Sequence, residues 1–408
     1  MKHSKPMRAL FLATAAAAGI GTACPMRAAE NSTSLADALA LEPLAWEIDS
    51  LEIRLGGFAG GALFTAMQSG GPGYPGGYDN TRASAQARTN LRVQRILDNG
   101  MILGARSDFL LYRDELSGDE YDNDTVERLY LFAQTGFGRV EIGQMDGAAF
   151  TIGLTGPAVA QEATLENPHI ALFRNPVTER DFADFFQSIT AVQSTSNFAK
   201  LNYVSPRLLG IQIGASFTPE TVRTPLPWTG NPADAPDRQR NIWEAAASYT
   251  GFYSGLAIGF SAGYARGALK NPTASGADLY DLALGAQLAY MVWEVRLSLG
   301  GAFRDTNSYL FNTNMVLDGV ATHALHLSTT AEWGAWRLGA EYSKADVRGP
   351  VGYQIAGYET ALAYKLNDNL ELAAGWQWYD YERNAGAFYN GLPAIDMNAG
   401  FLTLSYAL

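Results

Sequence analysis

The feature that most constrains this chain is a strict alternation of apolar with polar or small residues, repeated in many separate segments. In residues 370–378, leucine, alanine and tryptophan occupy the even positions, while glutamate, alanine, glycine and glutamine occupy the odd ones. Residues 282–290 and 211–217 repeat this pattern. Because successive side chains of a β-strand point to opposite faces, each segment predicts a strand with one apolar and one polar face.

The connections between these segments alternate between short and long. The short ones include 97–100 and 334–335, whereas the long ones are rich in glycine or proline, and 147–197 is the longest. A barrel that crosses a membrane has this organisation, with short turns on one side and long loops on the other. The predicted strands number sixteen and cover residues 51–66, 82–96, 101–114, 125–134, 138–146, 198–205, 210–218, 241–250, 255–266, 278–290, 294–305, 321–333, 336–346, 355–366, 370–382 and 396–408.

Two observations favour a membrane barrel over a soluble β-protein. The polar faces carry charges, among them Arg296 and Glu341, which a soluble sandwich core could not bury without partners. The apolar faces carry aromatic residues near the turns, as in an interfacial girdle: Trp293, Trp333, Trp336 and the run Trp376–Tyr381. We therefore predict an all-β fold, a transmembrane antiparallel β-barrel of about sixteen strands over residues 51–408.

The N-terminal residues predict export. Three lysines or arginines precede the short apolar stretch 9–20, so residues 1–29 have the composition of a signal peptide. A lipoprotein, cleaved before Cys24, is the alternative. Residues 30–50 are expected to be a short periplasmic segment, in which 34–47 has the composition of a short helix. Removal of the signal changes the formal net charge from −12 to −16, and this acidity argues against binding nucleic acid.

Two internal stretches resemble Gram-negative general porins, and the C-terminal stretch resembles outer-membrane β-barrels as a class. The terminal "NAGFLTLSYAL" is similar to the C-terminal signal of outer-membrane barrels, although the family usually ends in phenylalanine and this chain ends in Leu408. "ERLYLFAQTGFGRVEIGQMD" (127–146) resembles the family's fourth and fifth strands, and "NFAKLNYVSPRLLGIQIGASF" (197–217) resembles its hairpin with Ser-Pro before the turn. The resemblance implies a barrel of sixteen strands, usually trimeric, with a third loop folded inward.

The resemblance also implies the function and the surroundings. We expect a water-filled channel for passive diffusion of small hydrophilic solutes and ions across a Gram-negative outer membrane, with no cofactor. The expected partners are two further copies of the chain, outer-membrane lipid and lipopolysaccharide. The alternative is a substrate-specific channel, with anion selectivity as the variant to test. An enzyme is disfavoured, because the chain has no nucleophile elbow, phosphate loop or zinc-protease motif.

The long loop 147–197 is the expected constriction. A loop of this length in a compact structure is usually functional. If it folds inward, its acids face the pore; if it caps the barrel from outside, its aromatic residues pack on neighbouring loops. The candidate constriction acids are Glu162, Glu166, Glu179, Asp181 and Asp184.

Residues 82–95 hold four arginines and permit two interpretations. In a helix, Arg88, Arg92 and Arg95 would form one basic stripe for a polyanion. In a strand, Arg82, Arg88 and Arg92 share one face, and Arg95 points away. The regular succession of alternating, strand-like segments along the chain favours the second interpretation.

The strand interpretation places these arginines on the pore wall. Arg106 and Asp108 on the next strand share their face, so the expected basic wall is Arg82, Arg88, Arg92 and Arg106. Porins of the family oppose such a wall to acids of the third loop, which creates a transverse field. The alternative is a salt-bridged structural ladder in a wide vestibule.

The remaining candidates are spread over other segments. Further residues expected to face the lumen are Lys200, Arg296, Arg304 and His326. The loop "SGDEYDNDT" (117–125) is a weak candidate for a structural calcium site through Asp119, Asp122 and Asp124, but its spacing does not match an EF-hand, and a solvated acidic loop is the alternative. The outward positions of 83–93 are mostly small, which suits contact with another subunit.

Overall fold

A computed structural model describes most of the predicted barrel. The described residues are 44–48, 50–69, 77–113, 126–166, 172–174, 190–195, 198–221, 239–270, 277–307, 321–349, 352–383 and 395–407. The proposed signal peptide lies outside them. Among these residues, no helix is long and apolar enough to cross a membrane.

The described residues form seventeen strands, of which sixteen close into one antiparallel barrel. A short strand precedes the barrel: β1 (Leu44–Ile48). The barrel strands are β2 (Leu51–Gln68), β3 (Tyr78–Ile96), β4 (Ile102–Arg113), β5 (Val126–Thr135), β6 (Gly138–Gln144), β7 (Ala199–Val204), β8 (Ile211–Glu220), β9 (Gln239–Tyr253), β10 (Leu256–Leu269), β11 (Tyr280–Val292), β12 (Val295–Thr306), β13 (Ala321–Trp333), β14 (Trp336–Arg348), β15 (Tyr353–Lys365), β16 (Leu370–Arg383) and β17 (Ile395–Ala407).

Each barrel strand pairs with its neighbours in sequence, and β17 pairs with β2 to close the barrel. The predicted fold class is therefore confirmed. Several strands are longer than predicted: β2 and β3 continue toward the long loop between them, and β9 extends beyond both of its predicted ends. Pairing with a neighbouring strand, rather than local alternation, decides where these strands end.

The short strand β1 corrects the expectation of a helix over 34–47. Its residues Leu44–Ile48 pair antiparallel with residues 51–55 at the start of β2. The pairing of β17 with β2 stops at Ala407 and Phe58, so the first residues of β2 have no partner from β17. The strand β1 supplies the missing hydrogen bonds on that edge. The rest of the predicted helix lies outside the described residues.

The two faces of the wall differ as the alternation predicts. On β2, Phe58 and Phe64 are buried on the inner face, whereas Leu63 and Met67 are exposed on the outer face. The aromatic girdle is partly as expected, since Trp293 at a short turn is 93% exposed. The prediction that Tyr379 and Tyr381 belong to this girdle is wrong, because both side chains face inward and are buried. Their odd positions on β16 put them on the same face as Gln377, against the folded loop.

The long loop between β6 and β7 folds into the barrel. It begins with the short helix α1 (Ala148–Thr151) and continues along the inner wall. The backbone N–H of Ala148 donates to Ser216 Oγ on β8 at 3.0 Å, and that of Leu154 donates to Ser261 Oγ on β10 at 2.8 Å. Farther on, the Ala163 carbonyl accepts from Gln377 Nε2 on β16 at 2.5 Å. The described part of the loop therefore lines the inside of the barrel.

A glycine on the wall lets the loop approach closely. A Cβ on Gly285 of β11 would lie 1.9 Å from the carbonyl oxygen of Leu154. Such a separation is far below van der Waals contact, so any side chain here would push the loop off the wall.

Two buried glutamates of the wall hold the loop. Glu341 on β14 accepts hydrogen bonds from Thr164 Oγ1 at 2.8 Å, from Leu165 N at 3.0 Å and from Val159 N at 3.3 Å. Glu244 on β9 accepts from Ala149 N at 3.1 Å and from the Thr195 hydroxyl. Hydrogen bonds to a buried carboxylate are stronger than neutral ones, because water does not compete for the acceptor.

Apolar packing holds the same part of the loop. Val159, Leu165 and Phe173 are fully buried and join one cluster with wall residues that include Phe64 and Tyr379. The ring centroids of Phe173 and Tyr379 are 5.7 Å apart in an edge-on arrangement. The hydrophobic core of this barrel thus lies between the loop and the wall of β14–β17 and β2.

We predict that Glu341→Ala weakens the attachment of the loop. The substitution leaves three loop donors without their acceptor, and each orphaned donor costs about 1 kcal/mol or more. The variant should unfold at a lower temperature in detergent, as seen from the electrophoretic mobility of the barrel, and trypsin should cleave within 147–197 more readily. Glu332→Ala is the matched control, because Glu332 is 37% exposed and its ion contacts are 3.9 Å long. An unchanged transition temperature for Glu341→Ala would contradict the role of this carboxylate.

Candidate functional site

The described part of the loop lies mainly along β8–β17 and β2. On β3–β6 it contacts Tyr78 and Gln86 of β3 and, through Met145, the buried rings of β5. A cavity of about 390 Å³ remains between the arginine-lined part of this wall and the first segment of the loop. The wall contributes arginines to it, and the loop contributes Met145, Thr151 and Ile152. The lining arginines are Arg92, Arg106, Arg128 and Arg139.

Three arginines stand side by side across adjacent strands. In the register of the sheet, Arg54 on β2 is directly opposite Arg92 on β3, and Arg92 is directly opposite Arg106 on β4. All three share the inner face, because paired residues of antiparallel strands lie on the same side of the sheet. Like charges in directly opposed positions repel one another, so this arginine row needs a reason other than stability.

The two arginines that flank Arg92 in the row, Arg54 and Arg106, are paired with acids of their own strands. Arg54 forms a salt bridge with Glu52, and Arg106 Nε lies 2.9 Å from Asp108 Oδ1. Within the described residues, Arg92 has no carboxylate within 4 Å. Its guanidinium carbon lies 5.0 Å from the centre of the Phe132 ring, a cation–π distance, and its Nε has no hydrogen-bond partner.

Two further arginines extend the basic wall. Arg128 on β5 pairs with Asp146 at 2.9 Å and reaches Asp108 at 3.6 Å, and Arg139 on β6 pairs with Glu141 at 2.7 Å. Neither arginine is among the residues predicted from the sequence, although both lie in the stretch 127–146 that resembles porins. Counting inward positions along β5 and β6 would have found them.

The remaining predicted members of the basic wall lie nearer the long-loop side. Arg82 and Arg88 are on the inner face of β3, partly buried. Arg88 NH2 lies 3.6 Å from Glu127 Oε1. Arg95, by contrast, is on the exposed outer face, where its Nε donates to Ser50 Oγ at 3.0 Å.

The two described loop acids differ from their expected role. Glu162 is only 8% exposed, and it accepts a hydrogen bond from Gln86 Nε2 on β3 at 2.5 Å. Glu166 is only 4% exposed and accepts from the Thr190 hydroxyl. Both carboxylates therefore serve contacts of the loop with its surroundings and are not presented to open water. Glu179, Asp181 and Asp184 lie outside the described residues.

The other candidates for the lumen are on the inner face but mostly beneath the loop. Lys200 is 3% exposed and donates to Thr195 Oγ1 at 3.0 Å. Arg304 forms a buried two-bond ion pair with Asp281. His326 is 1% exposed, with Nε2 3.3 Å from Glu341. The loop covers these three side chains, so they do not line the cavity.

Two candidates remain. Arg296 is the exception among the lumen candidates, since it is partly exposed near a short turn and lies 3.9 Å from Glu332. The calcium candidates Asp119, Asp122 and Asp124 lie outside the described residues. Over the part of the chain that is described, no group of three or more His, Cys, Asp or Glu side chains is arranged to hold a metal.

The charge balance at the cavity is positive. Four arginines line it against the three carboxylates of Asp108, Glu141 and Asp146. Each of these carboxylates is already engaged by an arginine of the wall. A narrow space with low-dielectric walls strengthens the field of such charges. The described lining therefore gives the cavity a positive electrostatic potential.

Comparison with known proteins agrees with this architecture. A family model described as Gram-negative porin matches residues 13–387. No curated protein is similar enough in sequence to count as a match.

Solved structures of outer-membrane channels share the fold. The channel DcaP of Acinetobacter baumannii superposes with a TM-score of 0.57 at 11% identity, over 90% of this chain and 100% of that one. The anion-selective porin of Comamonas acidovorans gives 0.54 at 13% identity, over 88% and 100%. The trimer form of OmpT from Vibrio cholerae gives 0.51 at 12% identity, over 88% and 100%.

The family match covers most of the sequence, and the geometry is that of a closed barrel with a third loop folded inside. The chain therefore belongs to the Gram-negative porin family and forms a channel across the outer membrane.

Proposed function

We propose that this porin is a passive diffusion channel that favours small hydrophilic anions. Its permeation path follows the arginine-lined inner wall of β3–β6. The observation that carries the proposal is the arginine row Arg54, Arg92 and Arg106, in direct register on three adjacent strands beside the cavity. A pore sorts solutes by its width, its lining charge and its hydrogen-bonding groups. Here the lining charge is positive.

The placement of the two described loop acids supports anion preference over the transverse field expected from sequence. Glu162 and Glu166 are buried in hydrogen bonds to Gln86 and Thr190, and neither of them lines the cavity beside the arginine row. The overall acidity of the chain does not decide selectivity, because charges farther from the path than about 10 Å are screened at physiological salt. One of the structural relatives, from Comamonas acidovorans, is itself described as anion-selective.

We predict that Arg92→Ala lowers the anion preference of the channel. The measurement is the reversal potential of single channels in planar bilayers under a salt gradient. It should shift toward zero in Arg92→Ala, and farther in the double variant Arg88→Ala with Arg92→Ala. The physical reason is the loss of positive charge beside the path. Arg348→Ala is the matched control, because it removes one arginine from an outward position that is 64% exposed.

The same recordings distinguish the alternatives. Conductance that rises linearly with salt fits a diffusion channel, whereas saturating conductance that one solute blocks fits a substrate-specific channel. A wild-type channel without anion preference, or an Arg92→Ala channel with the wild-type preference, would refute the proposed selectivity.

We further propose that the channel is a homotrimer in which the early strands face the other subunits. The outward side chains Ala83 and Ala85 of β3 are exposed and small, unlike the outward leucines and tryptophans of β12–β17. A flat face of small residues lets two barrel walls approach closely. The structure of OmpT from Vibrio cholerae is described in a trimer form. Lipid and lipopolysaccharide would then contact the remaining outer face, and no catalytic role or cofactor is part of the proposal.

We expect a cysteine at Ala87 to be crosslinked between subunits by a short bifunctional maleimide, in a chain whose single native cysteine, Cys24, is replaced by serine. Crosslinked products on a denaturing gel are the measurement. Ala340→Cys is the control, because Ala340 is an outward residue of β14 on the part of the wall proposed to face lipid. Labelling of the cysteine at 87 by a lipid-phase probe, without crosslinking, would contradict a subunit interface at β3.

A further inference from the structure

We infer that Phe132 is a positioning residue for anion selectivity, which holds the guanidinium of Arg92 toward the pore and away from the acids of the wall. This inference rests on the proposed anion preference and concerns what creates it. Phe132 lies on the inner face of β5 and is 4% exposed. Its ring is within cation–π distance of two arginines: 5.0 Å from Arg92 and 4.1 Å from Arg139.

The contact with Phe132 is unusual because of what Arg92 lacks. Carboxylates stand on the neighbouring strands, and Arg54, Arg106, Arg128 and Arg139 each pair with one. Within the described residues, Arg92 alone among the five basic side chains of this wall region has an aromatic ring in place of a carboxylate. An arginine stacked on a ring keeps its charge unneutralised and its N–H groups available in the plane of the guanidinium.

The wall is shaped to hold this ring. Gly104 on β4 lies directly under it, since a Cβ at that position would be 2.4 Å from Phe132 Cζ. The register places Gly104 opposite both Gln94 on β3 and Phe132 on β5. The glycine therefore makes room for the ring to lie across the sheet toward β3, where Arg92 projects into the lumen.

The ring also contacts two like charges. Arg92 lies between Arg54 and Arg106 in the arginine row, and Arg139 approaches from β6. The negative face of an aromatic ring attracts each guanidinium that lies over it, and this attraction offsets their mutual repulsion. Without the ring, Arg92 is free to turn toward a wall carboxylate such as Asp108 or Glu141, and its charge would then be neutralised.

The test is the anion-to-cation permeability ratio of single channels from the full-length protein. In Phe132→Leu, which keeps apolar volume but removes the ring, the ratio should fall about two- to fivefold, the size expected for loss of a partly solvated cation–π contact. Phe132→Tyr keeps the ring and should retain the wild-type ratio. Phe401→Leu is the matched control, because Phe401 is a buried inner-face aromatic that contacts Phe64 and no arginine. If Phe132→Leu does not fold, Phe132→Met replaces it.

The double variant Phe132→Leu with Arg92→Ala identifies how the ring acts. If Phe132 works through Arg92, the double variant has the ratio of Arg92→Ala alone. An equal further fall in that background, or a wild-type ratio in Phe132→Leu while Arg92→Ala is reduced, overturns the inference and leaves the proposed function intact. A wild-type ratio in Arg92→Ala instead refutes the proposed function, and the role of Phe132 with it.

Discussion

The whole structure depends on the requirement that backbone groups facing lipid be hydrogen-bonded within the protein. In the hydrocarbon layer no water can satisfy an open strand edge, so a sheet must close on itself. Closure of β17 on β2 meets this requirement, but the stagger of the strands leaves the first residues of β2 beyond the end of β17. The short strand β1 covers that edge. The N-terminal residues of the described chain are therefore part of the wall.

Closure creates a polar interior, and the folded loop determines how much of it stays open. The wall carboxylates Glu244 and Glu341 accept hydrogen bonds from the loop backbone. An apolar cluster around Phe173 and Tyr379 fills the space between the loop and the wall of β14–β17 and β2. Most charged side chains on β7–β14 are therefore occupied by contacts with the loop or with one another. Because the described loop lies mainly on that side of the barrel, we propose that solutes pass along the arginine-lined wall of β3–β6.

The electrostatics of the channel follow from this asymmetry. The wall of β3–β6 holds its arginines close together, and its carboxylates neutralise most of them. Within the described residues, the arginine of this wall without a carboxylate partner is Arg92, and we propose that selectivity depends on its charge. The side chain beside Arg92 is the aromatic ring of Phe132, which packs over Gly104, rather than a carboxylate. Arg92 therefore differs from the neighbouring arginines, each of which forms an ion pair.

The amino-acid sequence by itself determined the fold class, the number of barrel strands and the face on which most strand side chains lie, because alternation has a period of two whatever the neighbouring strand is. It placed Arg92 and Arg106 on the inner face, and Arg95 on the outer face, for that reason. It also predicted which loop enters the barrel, through resemblance. It did not place the carboxylates of that loop, since a loop has no repeating geometry, and Glu162 is held by a glutamine 76 residues away in sequence.

Only the tertiary structure decided the register between strands. The opposition of Arg54, Arg92 and Arg106 depends on how far β2, β3 and β4 slide past one another before their hydrogen bonds form. Such sliding leaves the pattern on each strand unchanged when it moves by two residues, so no single strand encodes it. The same holds for β1, whose pairing arises from the edge left open by closure of the barrel. Local alternation decides which face a charge occupies, and the pairing of distant segments decides which charges meet there.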